Sequence, residues 1–84
     1  MHGSWRVAWA SRTLPEACRA LLGLLPDRGA DATVLRDYYK ESAKLYRHMV
    51  EVDPEHKHEA RALAWVDTQR AESYAKLAAS ESQG

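Results

Sequence analysis

The side chains best equipped for chemistry gather in one stretch of this 84-residue chain: His48, His56 and His58, with Glu51, Asp53, Glu55 and Glu59 among them. Imidazoles and carboxylates together can hold zinc or another divalent ion. His56 and Glu59 are three apart and would share a helix face, and His48 could approach from a preceding helix. His48, His56, His58 and Glu59 are therefore the candidate metal ligands. The spacing opposes a tight site, because His56 and His58, two apart, diverge on a helix. His-Glu-x-x-His, a paired Glu-x-x-His and a second cysteine are all absent. The same corner could instead sense protons, since neutral histidines beside carboxylates can gain charge near neutrality.

Nucleophilic chemistry has less support. Cys18, the single cysteine, falls on an apolar stripe with no histidine nearby in sequence to activate it, so it reads as a small buried hydrophobe. No glycine-rich phosphate loop or serine elbow is present, and so short a chain encloses little pocket volume. No catalytic residues and no cofactor are expected.

The elements that must position these groups follow from hydrophobic periodicity. Thr13 and Glu16 have capping-box spacing, Pro15 fits a first turn, and Leu14, Ala17, Cys18, Leu21, Leu22 and Leu25 recur on one stripe. A first helix over residues 13–25 is predicted, ended by Pro26 to Gly29. A second, over 31–52 with Asp31 as cap, splits at 100° per residue into two halves. Val34, Leu35, Tyr38, Tyr39, Ser42, Ala43, Leu45, Tyr46, Met49, Val50 and Val52 are on one side. Arg36, Asp37, Lys40, Glu41, Lys44, Arg47, His48 and Glu51 are on the other, read as a solvated face. A half-wheel apolar face requires two neighbours: the third helix, and either the first helix or another subunit.

Asp53-Pro54 is the sharpest local signal. Aspartate can cap the next helix and proline at its first position sacrifices no hydrogen bond, so a third helix is predicted over 54–79, antiparallel to the second. Ala60, Leu63, Ala64, Ala71, Tyr74, Ala75 and Ala78 would face its partner, small residues leaving room for tyrosines. Asp67 interrupts that stripe. An unpaired buried carboxylate is heavily penalised, so a hydroxyl of Tyr38 or Tyr39 is its expected partner. Residues 80–84 are polar and predicted to form a disordered tail.

Ahead of these helices, residues 1–12 lack helical periodicity; Trp5, Val7 and Trp9 alternate as in an extended arm that packs over the helices. Trp65 falls on the mostly polar side of the third helix and needs cover, from the arm or first helix or from a partner. With Tyr39, Tyr46, Trp5 and Trp9 it makes the candidate partner-binding set, these being residue types that dominate interface energy. The expected fold is thus all-α: three helices, a long antiparallel hairpin as core, and a short N-terminal helix and arm.

Composition limits the partners. Twelve basic and twelve acidic residues cancel, which disfavours general nucleic-acid binding, and a DNA-binding helix-turn-helix of the first two helices would carry Pro26 in its turn. The longest apolar run, Ala20 to Leu25, is too short to span a bilayer, and the first residues do not read as a signal peptide. A cytoplasmic module that binds protein, including a second copy of itself, is the leading expectation. Metal or proton sensing and DNA binding are the alternatives.

The passage from Tyr46 through Asp53-Pro54 to Leu63-Ala64 is similar to the junction between two tetratricopeptide repeats, which implies a helical hairpin. A wider resemblance covers roughly residues 31–78. Ser42, Ala43 and Tyr46, then Asp53, His56, His58, Glu59 and Ala60, then Ala64 and Trp65, resemble small actinobacterial helical-hairpin proteins with an Asp-x-x-His-x-His-Glu-Ala motif. Lys57, where a histidine is common, and a shifted tryptophan depart from that pattern. The resemblance implies a bacterial cytoplasmic protein and carries no established activity.

Overall fold

The computed structural model describes residues 4–83, and among them there are only helices, turns and loops. The order is α1 (Trp5–Trp9), α2 (Leu14–Leu24), α3 (Ala32–Val52), a single 3-10 turn (Pro54–His56) and α4 (Lys57–Gln83). The protein is all-α, with α3 and α4 as a long helical hairpin.

Each start has a local cause. Thr13 Oγ1 accepts the Glu16 N–H at 3.3 Å while Glu16 Oε1 accepts the Thr13 N–H at 3.2 Å, a closed capping box. These backbone donors, the Arg12 N–H above all, hold the Glu16 carboxyl below its ordinary range. Asp31 stands at the N-cap of α3 without a side-chain capping bond. Pro54 opens the 3-10 turn that folds the chain from α3 into α4.

The arm is not extended. Ser4 caps it by accepting the Val7 N–H at 3.2 Å, and one short helix places Trp5 and Trp9, four apart, on the same side. The alternation of Trp5, Val7 and Trp9 misleads because Val7 is solvent-facing, 61% exposed. Met1 to Gly3, the rest of that arm, lie outside the described residues. At the other end, α4 runs on to Gln83 instead of stopping at residue 79, so it takes in residues 80–83 of the expected tail. Gly84 lies outside the described residues.

The half-wheel of α3 is covered from two sides. α4 packs along one flank, burying Ala60, Ala64 and Ala78. α2 and α1 cover the other, with Leu14, Ala17 and Leu21 joining Leu45, Tyr46 and Met49 in the core. Self-association is therefore not needed to cover this face.

α2 is held at both ends by side chains of the hairpin. Asp53 Oδ2 accepts the Leu14 N–H at 2.8 Å, and the Tyr38 hydroxyl donates to the Leu21 carbonyl at 2.7 Å. Both backbone groups belong to helix termini that the helix itself leaves unsatisfied. These two bonds run α2 antiparallel to α3. Asp53 thus caps α2 from a distance and makes no side-chain cap on the turn that follows it, contrary to the sequence expectation.

Candidate functional site

The histidine corner does not assemble. His48 lies against Trp9, with ring centroids 5.2 Å apart, and His56 Nδ1–H donates to Asp53 Oδ2 at 2.7 Å. His58 and Glu59 are exposed on α4. Among the described residues no three histidine, cysteine or carboxylate side chains converge as a metal ion requires.

Of the five aromatic residues proposed to meet a partner, four are engaged within the chain. Trp5 packs on Tyr38 at 5.8 Å, and Trp9 donates its indole N–H to Glu41 Oε2 at 2.9 Å. Tyr39 stacks on Tyr74 at 5.8 Å, nearly parallel, and carries the Arg70 guanidinium 5.5 Å over its ring. Tyr46 is buried against Cys18, and its hydroxyl approaches that sulfur only to 4.0 Å. Burial, followed by the neighbouring Cys18, raises the Tyr46 phenol above its ordinary value, while burial pushes Tyr38 up to about 12. Trp65 is the exception. It is 66% exposed, because α1 and α2 lie over α3 and neither reaches across to it.

Two grooves flank the hairpin. The inner one, 290 Å³, opens between α2 and α4, with tyrosines in its floor and Leu22, Leu25 and Leu63 on its lips. Asp67 sits in it, but not with a tyrosine. Ser42 Oγ donates to Asp67 Oδ2 at 2.5 Å and Arg70 Nη1 to Oδ1 at 3.4 Å. The expected tyrosine partner is corrected: the Tyr38 hydroxyl is committed to Leu21, while Ser42, one turn on, is small enough to let α4 close. Ser42 is 1% exposed, so its hydroxyl is out of reach of any substrate.

Burial raises the Asp67 carboxyl, with Ser42 and Arg70 opposing. A raised folded value means the group favours folding fully only below its unfolded pKa, and that favour is lost as pH climbs. Asp67→Asn keeps an acceptor for Ser42 without the charge. It is expected to raise the urea midpoint at pH 7, with the gain over wild type shrinking toward pH 4; an unchanged or lower midpoint at pH 7 would show that the charged form is the stabilising one.

The outer groove, 350 Å³, lies between α3 and α4 on the face away from α2. Arg36, Lys40 and Arg47 form one wall, Ala43, Ala71 and Ala75 the floor, and Thr68 and Glu72 the other wall. Trp65 lies one turn before Thr68 on that helix face. In the sequence the polar half of α3 reads as mixed in sign. The fold separates it: Glu41 turns to Trp9, away from the groove, and the cations line it. That division depends on where α1 and α4 dock, which periodicity alone does not say.

Comparison with known proteins finds no matching family model, no matching curated protein and no matching solved structure. No helix among the described residues is long and apolar enough to cross a membrane.

Proposed function

We propose that this chain is a protein-interaction module, an adaptor or small regulator, that engages its partner through the outer face of the α3/α4 hairpin. The observation that carries the reading is Trp65, an indole left 66% exposed beside an unfilled groove in a domain that packs its other two tryptophans inward. A large aromatic side chain in water forgoes the burial it would gain at an interface, and such residues supply much of the binding energy where they occur. The groove beside it is concave, and its alanine floor lets another backbone approach. Binding rather than catalysis fits the buried polar side chains of the described residues, which are all engaged in capping and packing.

A photo-crosslinking amino acid placed at position 65, in cells that make this chain, tests the reading. A discrete adduct is expected, absent when the probe is moved to the exposed Lys57. An adduct of twice the chain mass would identify a second copy as the partner. Trp65→Ala is expected to weaken the adduct partner's binding by about tenfold or more, with stability changed by no more than roughly 0.5 kcal/mol. No adduct at 65, or the same adduct from Lys57, would count against this surface.

A further inference from the structure

We infer that the outer groove receives an amphipathic helix of a partner protein that carries carboxylates along one edge. The inference rests on the interaction reading above and names the chemistry of the occupant. The groove is shaped by two antiparallel helices, and a third helix laid between them completes a three-helix packing. Its floor is Ala43, Ala71 and Ala75, so an apolar stripe of leucines or alanines can descend close to the backbone.

Charge selects the edge of that helix. Arg36, Lys40 and Arg47 occupy one wall over about 16 Å of α3, and Glu72 alone opposes them within the lining. Arg36 has a fixed counter-ion, Asp37 Oδ1 at 2.9 Å. Arg47 makes a single 3.4 Å hydrogen bond to Thr68, and Lys40 makes no ion pair or hydrogen bond among the described residues. Two cations on a groove wall are thus without an acid of their own. A chain whose formal charge is zero has segregated its charges, with Glu51, Asp53, Glu55 and Glu59 crowded at the corner. A partner helix with Glu or Asp spaced to follow the wall would be steered in and held in register. Trp65, at the corner end, offers an apolar anchor for one large side chain.

Nucleic acid fits less well. Its phosphates would have to bypass an apolar floor and face Glu72, and the chain has no basic excess with which to displace counter-ions.

The test uses the full chain and two labelled amphipathic peptides of about 18 residues, five helical turns. One has glutamates along an edge of its leucine–alanine stripe; the other has lysines at the same positions. At low ionic strength the glutamate peptide is expected to bind at least about tenfold more tightly, to weaken as salt is added, and to shift the Trp65 indole N–H resonance. The double charge reversal Lys40→Glu with Arg47→Glu changes two exposed side chains and is expected to invert the preference. Equal binding of both peptides at the Trp65 face would overturn the carboxylate preference and leave the interaction reading standing. Binding of neither, together with a silent cross-linker at position 65, would remove both. A short DNA duplex that displaces the glutamate peptide would overturn the choice of a protein helix, as would resonance shifts confined to the inner groove.

Discussion

Replacing Asp53 by alanine is expected to lower the melting temperature by roughly 10 °C, although the residue sits in a turn. Asp53 is 8% exposed and serves three elements at once, two through its carboxylate and one through its backbone. It accepts the Leu14 N–H at the start of α2, takes the His56 imidazole N–H, and closes the end of α3 through its own N–H to the Met49 carbonyl at 2.8 Å. The backbone bond survives substitution, but the Leu14 amide is left without an acceptor in a buried position. Asp53→Asn keeps an oxygen for Leu14 and is expected to recover most of the loss. The Leu14 N–H, and then the His56 ring, hold the Asp53 carboxyl below its ordinary value. Its stabilising effect is therefore complete above the unfolded carboxylate pKa, near 3.9, and disappears as pH falls through the lower folded value. Thermal melts between pH 2 and 7 should show wild type losing stability through that range more steeply than the asparagine variant. Parallel curves, or alanine and asparagine variants of equal stability, would mean the cap is replaced by water.

Leu45→Ala is expected to cost about 3 kcal/mol, the middle of the range for emptying a buried leucine site. The side chain is fully buried where α2 and α3 meet, and its methyls have no solvent path through which the cavity could relax. A domain this small has a total stability of roughly 5 kcal/mol, so the variant should unfold at a small fraction of the wild-type urea concentration. Leu22→Ala is the internal control. Leu22 is 71% exposed on the lip of the inner groove, and its truncation should leave the midpoint nearly unmoved. If both variants behaved alike, the assignment of core and surface where α2 meets α3 would be wrong.

Much of the hairpin is legible from the residues. Alternation at 100° per residue marks the buried side of α3, Thr13 and Glu16 announce the start of α2, and Asp53-Pro54 places the reversal. What misled is informative. Trp5, Val7 and Trp9 fit a strand as readily as a helix over five residues, and only the Ser4 cap and the landing sites on Tyr38 and His48 decide between them. α4 continues to Gln83, past the expected stop at residue 79, although Ala78 is its last buried residue among those described and Ala79 to Glu81 are exposed. Aromatic content pointed to a binding surface without separating core from surface: Tyr46 and Trp65 look equally suited to a partner, and only docking of α2 buries the first. The cationic groove was invisible for a similar reason, since charges mixed in sequence are sorted by which neighbours claim the acids. The segment that carries the Asp-x-x-His-x-His-Glu-Ala pattern largely coincides with the corner and seam. Asp53 caps α2, His56 braces Asp53, Ser42 meets Asp67, and Ala60 and Ala64 admit α3. Those residues are accounted for by closure of the fold, whereas His58, Glu59 and Trp65 of the same segment are exposed.

The distant cap on α2 also dictates an order of assembly. Leu14 and Asp53 are 39 positions apart, and Tyr38 reaches Leu21 across 17. Neither of these two bonds can form until α3 is helical and α2 has docked on it, because Tyr38 belongs to α3 and Asp53 is its C-cap. Eleven residues make a marginal helix in isolation. α2 is therefore expected to gain most of its stability only by docking on α3.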